Sequence, residues 1–186
     1  KYKGFEAVQL VAQLAADAGT ATDQLYQTYF TTSQPVSSLG WAMGLDYKLP
    51  NGIMFRGNIA YDKLLEDIKE PGVETRFNTP DYRANLSIGH SEIIRNMGFN
   101  INFHWQNSFI WESCFGAGEI PETMTLDAHV SYKVTAIKMV FKVGGSNLLN
   151  HYYTTSVGSP QIGCMYYVSL IYEDILGYAG RKKTTD

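Results

Sequence analysis

Long apolar runs are missing from this chain. No uninterrupted stretch of its 186 residues reaches the roughly 18 that a membrane-spanning helix needs. Basic excess is missing too. Fifteen Lys and Arg stand against eighteen Asp and Glu, a net charge of −3, which gives no electrostatic footprint for nucleic acid. The opening "KYKGFEAV" has no uninterrupted apolar core and no small-residue cleavage site, so the expectation is a leader already removed or a start inside a longer protein. Only two cysteines are present, Cys114 and Cys164, too few to indicate a redox compartment. Metal-ligand spacing is absent: His90, His104, His129 and His151 form no close pair on one helix and no set with cysteines. "GAG" at Gly116–Gly118 precedes no helix and reads as loop glycine, not a phosphate cradle. No catalytic constellation and no cofactor is expected.

What the chain has instead is alternation. In "TMTLDAHVSYK", Met124, Leu126, Ala128, Val130 and Tyr132 fall on one parity, while Thr123, Thr125, Asp127, His129, Ser131 and Lys133 fall on the other. Period two is the signature of a strand with one apolar and one polar face. Six further segments repeat it: Leu39–Leu49, Ile53–Asp62, Tyr82–Gly89, Met97–Gln106, Ile137–Gly144 and Tyr166–Glu173. Several of these runs approach the about 9–11 residues of a tilted transmembrane strand. An eighth strand is expected within Tyr2–Leu14, paired with the one from Leu39, although "EAVQLVAQLAADAG" also has helical propensity.

Three further patterns bear on what the apolar parity touches. Connections alternate in length: short at Pro50–Gly52, Glu92–Asn96 and Val134–Ala136, long at Ala15–Ser38, Leu65–Thr79, Ser108–Glu122 and Asn150–Gly163. Outer-membrane barrels have this asymmetry, with short periplasmic turns and long outside loops. Charge is sorted onto the polar parity, as the cost of a charge in lipid requires, although a soluble sheet also sorts its charges. Aromatic residues gather near strand ends, at Tyr47, Tyr61, Tyr82, Trp105, Tyr132 and Tyr172, where barrel girdles lie. The expected fold class is therefore all-β, an antiparallel transmembrane β-barrel sheet of about eight strands.

The residues expected to face the lumen are Arg56, Asp62, Arg83, Asn102, His104, Asp127, His129, Lys138 and Lys142. They could line a solute route, or form the solvated, internally paired wall of any wide barrel. His104 and His129 could pair across neighbouring strands. Trp111, Phe115, Tyr152 and Tyr153 fall in or beside the expected outside loops, where aromatic rings either stack on a ligand or pack the loops together. Cys114 and Cys164 fall on the same side, and whether they pair is not legible from spacing.

At "FKVGGSNLLNHYY" and "GCMYYVSLIY" the chain resembles the end of TonB-dependent outer-membrane receptors. "GLDYKLPNGIMFRGNIAYDKL", "FNTPDYRANLSIGH" and "WQNSFIWESCFGAGEIPETMTLDAHVSYKV" resemble the same family, most of all its SusC-like Bacteroidetes branch. The likeness runs from about Val36 to Ile175. It implies that residues 1–176 are the C-terminal part of a barrel of about 22 strands closed around a plug. Residues 177–186, "GYAGRKKTTD", form a polar tail beyond the usual family end. The family's plug and TonB box do not match anything here. The resemblance further implies an integral outer-membrane location, nutrient import without chemistry on the solute, and four partners. These are the rest of the receptor, the TonB complex, outer-membrane lipid and a SusD-like surface lipoprotein. Glycan, peptide, siderophore and vitamin all remain open as nutrients. The rivals are a self-contained eight-stranded barrel with a structural or adhesion role, and a soluble β-sandwich binding module.

Overall fold

The computed structural model describes residues 5–14, 23–32, 34–67, 75–113 and 116–172, the first two ranges as backbone only. Eleven strands appear among them: β1 (Phe5–Leu14), β2 (Asp23–Thr32), β3 (Ser37–Lys48), β4 (Met54–Glu66), β5 (Tyr82–Ile94), β6 (Met97–Gln106), β7 (Phe109–Ser113), β8 (Gly116–Ile120), β9 (Thr123–Val134), β10 (Met139–Ser146) and β11 (Met165–Tyr172). Seven of them form one antiparallel sheet in the order β11-β10-β9-β6-β5-β4-β3, so chain neighbours are sheet neighbours except where the β7–β8 hairpin intervenes. All seven alternating segments are in this sheet. β3 and β11 stand at its two edges and do not pair with each other.

The segment Tyr2–Leu14 does contain a strand, β1, but its partner is β2 in a separate hairpin, not the strand from Leu39. β2 lies inside the span expected to be a long loop. Its sequence "DQLYQTYFTT" puts Leu25 and Tyr29 on one parity and Tyr26 and Phe30 on the other, so no face stands out. β7 and β8 have five residues each, too few for a period to show.

Turn chemistry sets the short ends. Gly52 has φ of 87°, and a side chain there would meet the His90 ring, whose Nε2 lies 2.7 Å from the Asn51 carbonyl. The Asn51 side chain accepts from the Ile53 amide at 3.2 Å. Asn96, with φ of 65°, completes the tight turn from β5 to β6. Between β9 and β10 a single 3-10 turn, Thr135–Ile137, ends on Lys138 in the left-handed region at φ 54°. β10 consequently begins at Met139, two residues later than the alternation suggested.

The two faces of the sheet differ in kind. The apolar parity is uncovered: Met43, Leu45, Val143 and Val168 are 67, 68, 59 and 72% exposed. Among the described residues the buried apolar side chains are Val36 and Ile120, so no second sheet closes a core over this face. The described sheet is one layer. Twelve-residue β3, at about 3.3 Å per residue and a tilt near 40°, covers roughly 30 Å. Register lines up apolar rungs across it. One runs Tyr47–Phe55–Ile88–Ile101, the next Leu45–Gly57–Leu86–Phe103 and the next Met43–Ile59–Ala84–Trp105. At the long-loop end Trp41, Tyr61 and Tyr82 stack in a row, with ring centroids 6.1 and 4.8 Å apart.

Candidate functional site

The polar parity forms its own rungs, and these carry the candidate site. One runs Asp46–Arg56–Ser87–Asn102–Asp127 across five strands, and the Ser146 side chain of β10 joins it at Asp127. Arg56 meets Asp46 at 3.1 Å and the Ser146 hydroxyl donates to Asp127 at 2.9 Å. The next rung toward the long loops is Gly44–Asn58–Asn85–His104–Thr125. Asn85 Nδ2 donates to Asn58 Oδ1 at 2.7 Å, which leaves Asn85 Oδ1 to accept from His104 Nδ1 at 2.5 Å. His104 Nε2 then faces Asp127 at 3.9 Å. One rung further, Arg83 reaches diagonally to Asp62 at 2.5 Å. Like rungs of small and polar residues repeat because each pleat returns the same parity to the same face.

Above these rungs the long connections build a cap. Asn78 replaces a strand partner for β7: its Nδ2 donates to the Glu112 carbonyl at 2.9 Å and its Oδ1 accepts from the Glu112 amide at 2.7 Å. The Arg76 amide donates to the Glu112 carboxylate at 3.0 Å. Asp127 holds the start of the β10–β11 connection, accepting from the Asn147 amide at 2.8 Å as well as from Ser146. Asn147 is 2% exposed, with φ of 51°, and its Nδ2 donates to the His151 carbonyl at 2.9 Å. This turn brings Tyr153, Thr154 and Thr155 over the sheet, and an isolated bridge pairs Tyr153 with Ile162.

Under that overhang lies a concavity of about 500 Å³. Arg83, Asn85, His104, Gln106, Thr125 and Asp127 line its wall, and Phe109 and Tyr153 stand at its mouth. Asp62 balances Arg83, Asp127 accepts from Ser146 and Asn147, and the rest of the lining is mainly hydroxyls and amides, with the rings of Phe109 and Tyr153. Such a surface can hydrogen-bond a polar solute through its hydroxyls and amides. Among the described residues no group of three or more His, Cys, Asp and Glu side chains is placed to hold a metal ion.

The residues read as lumen-facing distribute unevenly. Asp62, Arg83, His104 and Asp127 converge at or beside the concavity. Arg56 and Asn102 share the rung of Asp127 but are not part of the lining, and His129 and Lys142 lie nearer the short turns, opposite Asn100 and Ser131. Lys138 belongs to no rung: it occupies the turn before β10, where the left-handed backbone breaks the alternation. His104 and His129 do not pair, because His104 lies opposite Thr125 and His129 opposite Asn100, two same-face steps apart. Of the loop aromatics, Tyr153 lines the concavity, Tyr152 packs its ring over Gly163, and Trp111 lies in β7 opposite Gly118. Phe115 and Cys114 lie outside the described residues; Cys164 is half-buried. The sequence reading missed Asn78, Thr154 and Thr155. The positive φ of Asn78, 43°, has no sequence signal beyond the residue type.

No family model and no curated protein matches the chain. Solved structures do. The ferric enterobactin receptor PfeA of Pseudomonas aeruginosa, in a mutant form, superposes with a TM-score of 0.61 at 14% identity, over 91% of this chain and 27% of that one. The siderophore receptor PirA of Acinetobacter baumannii gives 0.58 at 17% identity, again over 91% and 27%. FpvA of P. aeruginosa bound to a heterologous pyoverdine gives 0.52 at 13% identity, over 87% and 23%. The chain thus spans about a quarter of the length of each. The fold is that of an antiparallel barrel-wall segment found in large receptors.

Proposed function

We propose that this chain is part of the barrel wall of a TonB-dependent outer-membrane receptor that imports a nutrient. The observation that carries the reading is the uncovered apolar face of the seven-stranded sheet, 59 to 72% exposed at Met43, Leu45, Val143 and Val168, opposite a face laddered with hydrogen bonds. In water that exposure is unfavourable; against lipid it is the stable arrangement. The aromatic row Trp41–Tyr61–Tyr82 then marks the outer interface and the short turns the periplasmic one. The polar rungs face the lumen, the concavity under Tyr153 lies on the external side, and import proceeds without chemistry on the solute.

Residues 1–176 form the wall segment and 177–186 a polar tail. Among the described residues β3 and β11 are the edge strands of the sheet, and an unpaired strand edge in lipid costs several kcal/mol per backbone group. The remaining barrel strands supply the neighbours, and a plug closes the lumen. The same open edges disfavour a small closed eight-stranded barrel. Within the family, the motifs from Val36 to Ile175 favour the SusC-like branch, with a SusD-like lipoprotein over the external loops and TonB acting through the plug.

The test is uptake and extraction by cells expressing the full-length protein. The expected result is a detergent-dependent outer-membrane protein with heat-modifiable gel mobility, whose solute uptake stops when TonB is deleted. Release of the protein in soluble form by sonication alone would sink the reading.

A further inference from the structure

Two side chains of the concavity face each other acceptor to acceptor. Asn85 donates its amide to Asn58 at 2.7 Å, so its Oδ1 accepts from His104 Nδ1 at 2.5 Å. That leaves Nε2 of the neutral imidazole as a bare lone pair. It faces Asp127 Oδ2 at 3.9 Å. The other carboxylate oxygen, Oδ1, already accepts from the Ser146 hydroxyl at 2.9 Å and the Asn147 amide at 2.8 Å, and both of those donors are neutral. Among the described residues no group donates to His104 Nε2 or to Asp127 Oδ2. Both side chains line the concavity and are 48 and 30% exposed, so a solute can reach the gap between them.

We infer that this gap seats a primary ammonium group of the solute, with His104 Nε2 and Asp127 Oδ2 as its two acceptors. The inference rests on the transport reading above, in which the concavity lies on the solute's route. A donor atom about 2.8 Å from each acceptor fits between two atoms 3.9 Å apart. That atom needs two hydrogens, one for each acceptor. A hydroxyl has one, so an alcohol leaves one acceptor unmet. Water has two but no charge. An ammonium has three, together with the positive charge that the neutral partners of Asp127 do not supply. Charge in the lining favours the same choice. Arg83 is balanced by Asp62 at 2.5 Å, so the carboxylate of Asp127 is the charge left without a counterion in the wall. The rings of Phe109 and Tyr153 stand at the mouth, and aromatic faces attract cations and not anions. Free peptides and amino sugars both carry such a group, and the gap recognises the group rather than the frame that bears it.

The experiment is titration calorimetry on the detergent-purified full-length protein. The probes are trialanine amide and the glucosamine trimer, each beside its N-acetylated counterpart. At least one free amine is expected to bind, and acetylation to weaken that binding by about tenfold or more, since it removes the charge and two of the three hydrogens. The frame that binds more tightly tells a peptide from an amino sugar. D127N keeps an oxygen for Ser146 and Asn147 but no charge, and is expected to lower affinity for the amine by about tenfold while the acetylated form is unaffected. H104L removes the other acceptor and lowers it by about fivefold. E92Q removes the same charge at the short β5–β6 turn and leaves it unchanged. If D127N fails to reach the heat-modifiable folded form, H104L tests the pair from its other side. Equal binding of an amine and its acetylated form overturns the inference, as does full affinity in D127N and H104L. Binding of neither amine also overturns it, the result expected if a side chain of the plug fills the gap. Each of those results leaves the barrel reading intact; a protein that stays soluble without detergent would instead remove the barrel reading itself.

Discussion

The two faces of the seven-stranded sheet are made by alternate residues of the same strands and stabilised in opposite ways. On the polar face, side chains find each other: Asp46 with Arg56, Asn58 with Asn85, Asn85 with His104, Asp127 with Ser146. On the apolar face, among the described residues, they find little beyond their neighbours on the rung, and in the proposed reading the stabilising partner is lipid. The difference teaches that the polar face is self-sufficient and the apolar face is not. A soluble protein puts these the other way round, with the apolar face closed by its own chain.

The contrast can be broken most severely by moving charge across it. Leu86→Lys puts an ammonium in the middle of the apolar band and is expected to cost about 2–4 kcal/mol, against less than ~1 kcal/mol for Ser87→Lys on the other face. Denaturant unfolding in lipid vesicles measures both, and equal losses would remove the distinction between the faces. Asp127→Ala removes the acceptor shared by the Ser146 hydroxyl and the Asn147 amide, and is expected to cost about 1.5–3 kcal/mol because the acceptor is charged and Asn147 is buried. The same unfolding assay reads it, and loss of solute binding should accompany it because Tyr153–Thr155 lose their anchor. Asn78→Ala deletes both bonds to the Glu112 backbone. About 1–2 kcal/mol of local stability goes with them, visible as faster hydrogen exchange in β7 and β8 while β5 and β6 keep their protection. The smallest effect belongs to Arg83→Gln. The Arg83–Asp62 pair is 47% and 30% exposed, so its loss costs under about 1 kcal/mol, and 0.5 M salt should mimic the substitution.

Legibility followed the length of the period. The seven strands with eight or more alternating residues were readable, and so was the sorting of their connections into short and long. The strands of the β7–β8 hairpin were not, with five residues each, and β2 was hidden by apolar residues on both parities. Within the site, parity assigned Asp62, Arg83, His104 and Asp127 to one face, and register decided that they lie at or beside one concavity. It could not place Lys138, because a turn resets the parity and the left-handed residue that does so is not distinguishable from a strand lysine by type alone.

What the sequence determined by itself is local: which residues share a face, how long each strand is, and at which end the chain turns tightly. Those follow from a two-residue repeat and from turn chemistry, which need no distant contact. Only the tertiary structure decided which polar residues meet. Register sets His104 beside Asn85 and Asp127 and away from His129, and the Asp127–Asn147 contact carries Tyr153 over the wall. Register and overhang depend on hydrogen bonds between residues 19 or more positions apart, and no pattern within one strand encodes them.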